Sequence, residues 1–165
     1  MEIKISNLKK VYKSGKKALK GISINIGKEM FGLLGANGAG KTTLMRILVG
    51  MLKASKGEVK FEGYNLPEER DKLNSKIGYL PQTFGLYPDL NAYEFLEYIG
   101  FLYNINNKKM LSDRILHILD LVNLKDVAKV KIKNFSGGMK RRLGIAQALL
   151  NDPELIIVDE PTAGL

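Results

Sequence analysis

The sequence predicts an α/β fold in which strands flank a helical insert. Two short, continuously apolar runs, MFGLL at 30–34 and LIIV at 155–158, read as strands covered on both faces. The glycine-rich stretch GANGAGKTT follows the first of them. Between residues 85 and 150 the spacing of apolar residues changes from alternation to a helical period. The chain's 165 residues suffice for one domain with a real core, and 45% apolar content argues against disorder.

Each element follows from its own pattern. Ile3 and Ile5 alternate with polar neighbours, as do Ile22, Ile24 and Ile26, which predicts two half-buried strands. After the glycine stretch, Leu44, Ile47, Leu48 and Met51 recur at helical spacing, predicting a helix over 42–52. EVKFEG from Glu58 and IGYL from Ile77 predict further strands. Phe95, Leu96, Ile99 and Leu102 form a helical stripe opened by Asn91, with Glu94 three residues on as a cap. Ile115, Leu116, Leu119 and Val122 form a second stripe. Met139, Leu143, Ala146 and Leu150 form a third, stopped by Asp152-Pro153.

Bulk composition narrows the partners. Lysine and arginine outnumber the acids 26 to 17, a net charge of +9. Nucleotide phosphate, an anionic membrane surface and nucleic acid all suit that charge, as does a plain lysine-rich solvated surface. The absence of cysteine excludes disulfides and thiolate metal sites and suits a cytosolic protein. MEIKISNLKK lacks the apolar stretch of a signal peptide, and no apolar run approaches bilayer-crossing length.

Gly35, Gly40, Lys41 and Thr42 fit the pattern G-x-x-x-x-G-K-[ST], lying between an expected strand and an expected helix. Such a loop turns its backbone N–H groups inward around a phosphate, which needs backbone angles that side chains obstruct. The following helix presents its positive end to the same anion. Lys41 would add a point charge at the β- and γ-phosphates, and the Thr42 hydroxyl would ligate Mg²⁺. A second motif, LIIVDEP, sets Asp159 and Glu160 at the carboxyl end of a strand, where ligands bind in open α/β sheets. Asp159 would hold Mg²⁺, and Glu160 could polarise an attacking water.

The block FSGGMKRRLGIAQALLNDPELIIVDEPTAGL, from Phe135, resembles the signature-to-Walker-B region of ATP-binding-cassette (ABC) ATPases, and the resemblance runs from Ile3 to Leu165. It implies a P-loop NTPase fold: a RecA-like core, an inserted helical subdomain and an N-terminal antiparallel β portion. The nucleotide-binding core would comprise 1–84 and 151–165, and the helical part 85–150. The resemblance also implies roles. Tyr12 would stack on adenine, while Gly35, Asn37, Gly38, Gly40, Lys41, Thr42 and Thr43 would hold the phosphates. Gln82 would touch Mg²⁺ or water and sense the transport side. Ser136, Gly137 and Gly138 form the signature, with Met139 where glutamine is usual; the backbone N–H groups and the Ser136 hydroxyl remain for binding.

In this family two domains pair head to tail, and each signature closes over the nucleotide held by its partner. ATP and Mg²⁺ are therefore the expected cofactor set, a second ATPase domain the expected partner, and ATP hydrolysis the expected activity. TFGLYPDLNAYEFLEYIGFL, from Thr83, resembles exporters of the ABC-2 type, with Phe84, Leu86 and Tyr87 as candidate contacts to a membrane permease. Localisation would then be peripheral, on the cytoplasmic face. The alternative class is a soluble ABC ATPase acting on ribosomes or nucleic acid, although the compact single cassette implies no specific nucleic acid. The family pattern continues past Leu165 with an aspartate, further core strands and a switch histidine, so hydrolysis by these 165 residues alone is not expected. His117 reads as a surface helix residue.

Overall fold

The computed structural model describes residues 2–73 and 75–159, which gather into two units divided at residue 74. In the first unit, β1 (Ile3–Val11), β2 (Lys17–Ile26), β3 (Lys56–Phe61) and β4 (Tyr64–Leu66) form an antiparallel sheet ordered β2-β1-β3-β4. Ile3, Ile5 and Leu8 of β1 are all buried, although strict alternation would turn residue 8 outward. The register shifts between Ile5 and Leu8, and Asn7 has a φ of 45°, so a bulge restores Leu8 to the inner face. Gly57 makes that bulge possible, because a Cβ there would lie 2.4 Å from the Asn7 carbonyl oxygen.

The outer face of this sheet is basic. Lys9 stands directly opposite Lys20 on one side and Lys56 on the other, a row of three lysines across three strands. The helix α1 (Lys41–Leu48) packs on β2 and buries Leu44, Ile47 and Leu48. Met51, expected in that stripe, lies beyond the helix and is exposed.

Residues 30–34 differ from expectation. They form no strand, and Met30 and Leu34 are almost fully exposed. A short apolar run becomes a strand only when neighbours take up its N–H and C=O groups. Among the described residues no strand pairs with it.

In the second unit β5 (Ile77–Leu80) and β6 (Leu155–Val158) pair in parallel, with Leu80 opposite Val158. Here too the expected two-sided cover of β6 is incomplete. Ile157 is buried but Ile156 is 46% exposed, because β5 is its one partner strand among the described residues. The helices α2 (Ala92–Leu102), α3 (Lys108–Leu121) and α4 (Gly137–Leu149) enclose an aliphatic core around Phe95, Leu96, Ile115, Leu119, Leu143 and Ala146. In α3 the buried stripe is Leu111, Ile115, Ile118 and Leu119, while Leu116 faces outward.

The helix ends in this unit are specified by sequence. Asn91 and Glu94 form a reciprocal capping box at the start of α2. Arginines serve the other ends: Arg142 donates to the Val122 and Asn123 carbonyls beyond α3, and Arg114 to those of Leu149 and Leu150 at the end of α4. The helix α4 lies hard against β5. A Cβ at Gly78 would be 2.2 Å from the Ala148 carbonyl oxygen, and one at Gly144 would be 2.5 Å from Phe84 Cζ.

Candidate functional site

The glycine loop and the head of α1 form the candidate site of the first unit. Gly38 and Gly40 have φ of 82° and 97°, the left-handed region that side chains disfavour. A Cβ at Gly40 would also come within 2.4 Å of the Ala18 carbonyl oxygen. The Lys41 ammonium spans the loop, donating to the carbonyls of Gly35 and of Ala36, the latter at 3.2 Å. The N-cap of α1 is Gly40, so no side chain caps the helix. The N–H groups of its first turn are thus left for an anion, next to a fixed cation. Thr42 is half-buried and Thr43 buried. Tyr12, just past β1, hydrogen bonds through its hydroxyl to Thr43 Oγ1 at 3.0 Å, and the Lys10 ammonium lies 5.6 Å from its ring centre. Asn37 is exposed in the loop.

The second unit holds the other candidates. Asp159 follows β6, its N–H donating to the Leu80 carbonyl at 2.9 Å. It is 1% exposed, and neither carboxylate oxygen has a hydrogen-bond partner among the described residues. A buried, unpartnered carboxylate is costly unless a cation or ordered water meets it. Asp159 therefore fits a role toward Mg²⁺, as does the hydroxyl of Thr42 by its chemistry. Glu160 lies outside the described residues.

Gln82 follows β5 and Pro81 and lines a cleft of about 360 Å³ with Phe84, Leu86, Lys133, Gly137 and Lys140 among others. Phe84 and Leu86 are half-buried, Phe84 against Gly144 and Leu86 against the helical core. Tyr87 is 50% exposed and meets the Tyr98 ring edge-on at 5.5 Å. The neighbouring Tyr87 hydroxyl raises the Tyr98 pKa.

Ser136 caps α4, accepting from the Met139 N–H at 3.2 Å. Met139 packs its side chain on the helical core. At Gly137 and Gly138 an added Cβ would meet nothing within 4 Å, so their glycines leave open surface at the helix head.

One residue went unnoticed in the sequence. Arg141 is 9% exposed, and its guanidinium donates to the Pro81 carbonyl at 3.4 Å and the Asp159 carbonyl at 3.2 Å. In KRR it stands between two other cations, Lys140 and Arg142, both only half-buried. The available signal is phase: Arg141, Gly144 and Ala148 share one helix face, and the two small residues mark it as the face packed on β5.

Comparison with solved structures places the fold among P-loop ATPase cassettes. The ATP-binding cassette MJ0796, a dimer in a post-hydrolysis state bound to ADP and Pi, superposes with a TM-score of 0.87 at 33% identity, covering 99% of this chain and 75% of that one. The chain belongs to the ABC transporter family, whose model matches residues 19–163. It is 44% identical over 165 residues to the linearmycin resistance ATP-binding protein LnrL of Bacillus subtilis (strain 168), covering 99% of this chain and 52% of that protein. The bacitracin transport ATP-binding protein BcrA of Bacillus licheniformis is 38% identical, with the same coverage. The Nod factor export ATP-binding protein I of Cupriavidus metallidurans is 38% identical, over 83% of this chain and 45% of its own length. The chain thus spans about half the length of the curated relatives it matches.

Proposed function

We propose that this chain is the nucleotide-binding part of an ATP-hydrolysing subunit that powers a membrane export complex. The observation that carries the reading is the uncapped head of α1, reached through two left-handed glycines and bridged by Lys41. The N–H groups from Gly35 to Thr43 hold the phosphate tail, with Asn37, Gly38 and Gly40 shaping the loop. Lys41 sets a positive charge against the β- and γ-phosphates. Tyr12 stacks on the adenine. Thr42 in the first unit, and Gln82 and Asp159 in the second, are the residues that would hold Mg²⁺, and the ion would neutralise charge on the phosphates. Glu160 polarises the attacking water.

Ser136, Gly137 and Gly138 act on a nucleotide held by a second ATPase domain. The open surface beside the two glycines supports so close an approach, and the positive head of α4 suits a γ-phosphate. Closure with ATP and opening after hydrolysis is the motion the domain exports. The relatives named for bacitracin transport, Nod factor export and linearmycin resistance support an exporter. Tyr87 and the cleft edge at Phe84 and Leu86 receive the permease, and the protein works at the cytoplasmic face of the membrane. The test is Asp159→Asn in the intact protein: MgATP turnover falls about a hundredfold, while nucleotide binding in EDTA is retained. Unchanged turnover refutes the assignment.

The lysine row Lys20–Lys9–Lys56 favours a second reading, an ATPase acting on nucleic acid. Retention of duplex DNA or RNA in a gel shift at moderate salt would support it; free migration supports the exporter.

A further inference from the structure

We propose that Arg141 is a positioning residue for hydrolysis, joining the signature helix to the two strand ends that carry Gln82 and Asp159. The proposal rests on the nucleotide reading above. β5 and β6 are adjacent and parallel, so Pro81 and Asp159 leave neighbouring strand ends. The planar guanidinium bridges their carbonyl oxygens, at 3.4 Å and 3.2 Å, from a side chain nine-tenths buried. Residue 82 follows one of these carbonyls directly, and the other belongs to Asp159 itself. The bond goes to the Asp159 backbone, and both carboxylate oxygens remain without a hydrogen-bond partner among the described residues.

Arg141 lies only five residues after the Ser136 cap, on a helix held against β5 by the contacts at Gly78 and Gly144. A shift of the helix head that bears Ser136 therefore pulls on the backbone at Gln82 and Asp159 together. Arginine suits this task because its fork reaches two acceptors in one plane, whereas a lysine ammonium is a single point donor.

The experiment compares Arg141→Met and Arg141→Lys with the intact wild-type protein. Arg141→Met removes the bonds to the Pro81 and Asp159 carbonyls: kcat falls about tenfold or more and half-saturating Mg²⁺ rises severalfold, the scale seen when groups that orient a metal ligand are lost. The Kd for ATP in EDTA stays within about twofold, since the phosphate loop is untouched. Arg141→Lys retains one bond and falls between. A merely structural role would lower thermal stability and active fraction but leave the Mg²⁺ response of the folded protein unchanged. Wild-type kcat and Mg²⁺ response in either variant overturns the proposal. If Arg141→Met does not fold, Arg141→Lys carries the same test in smaller size. Failure of the underlying reading is separately visible, because Lys41→Ala would then leave ATP binding intact.

Discussion

The two units hold together in different ways. Residues 1–74 carry 15 basic and 7 acidic side chains, whereas residues 75–165 carry 11 and 10. The first unit thus concentrates the positive charge of the chain, and three of its lysines face one another across the sheet. The second is nearly neutral and is organised by aliphatic volume and well-specified helix ends. Like charges opposite one another in a sheet oppose folding, so the first unit gives up some stability for a field that attracts anions. The second gives close packing to the elements that carry Gln82, Asp159 and Ser136.

Volume should therefore break the second unit, and charge should tune the first. The largest effect is expected from Gly144→Val, which drives a side chain into Phe84 and into Leu80, itself 1% exposed. It should cost about 2 kcal/mol or more, read as a lowered denaturation midpoint. Ser136→Ala comes next. Loss of the cap should cost about 1 kcal/mol in the same measurement. Smallest is Lys20→Glu, which turns the Lys20–Lys9 repulsion into attraction. Thermal melts should show a slight rise in Tm at low salt that disappears at high salt, because screening removes the interaction. An equal rise at high salt would mean that the charge comparison is wrong.

Much of this architecture was legible in the sequence because it rests on local rules. Alternating isoleucines mark β1 and β2, and the Asn91/Glu94 cap appears where the sequence predicts it. The glycine loop is equally legible, since Gly40 meets both a left-handed φ and a backbone at 2.4 Å. What escaped depends on distant partners. MFGLL has the composition of a buried strand, but composition cannot supply a neighbour for its hydrogen bonds. Leu8 reaches the core through a bulge that no periodicity reveals. Arg141 hid among adjacent cations, and the Pro81 and Asp159 carbonyls that it reaches lie 60 and 18 residues away in the chain.

Whether the charged unit holds a nucleotide is tested most directly by titrating ATP against the intact protein and its Lys41→Ala variant, with circular dichroism to confirm equal folding. Loss of the ammonium that bridges the loop should weaken binding at least about tenfold, or ~1.4 kcal/mol. Equal affinity in the two folded proteins would contradict the phosphate-loop assignment and the nucleotide-dependent function built on it.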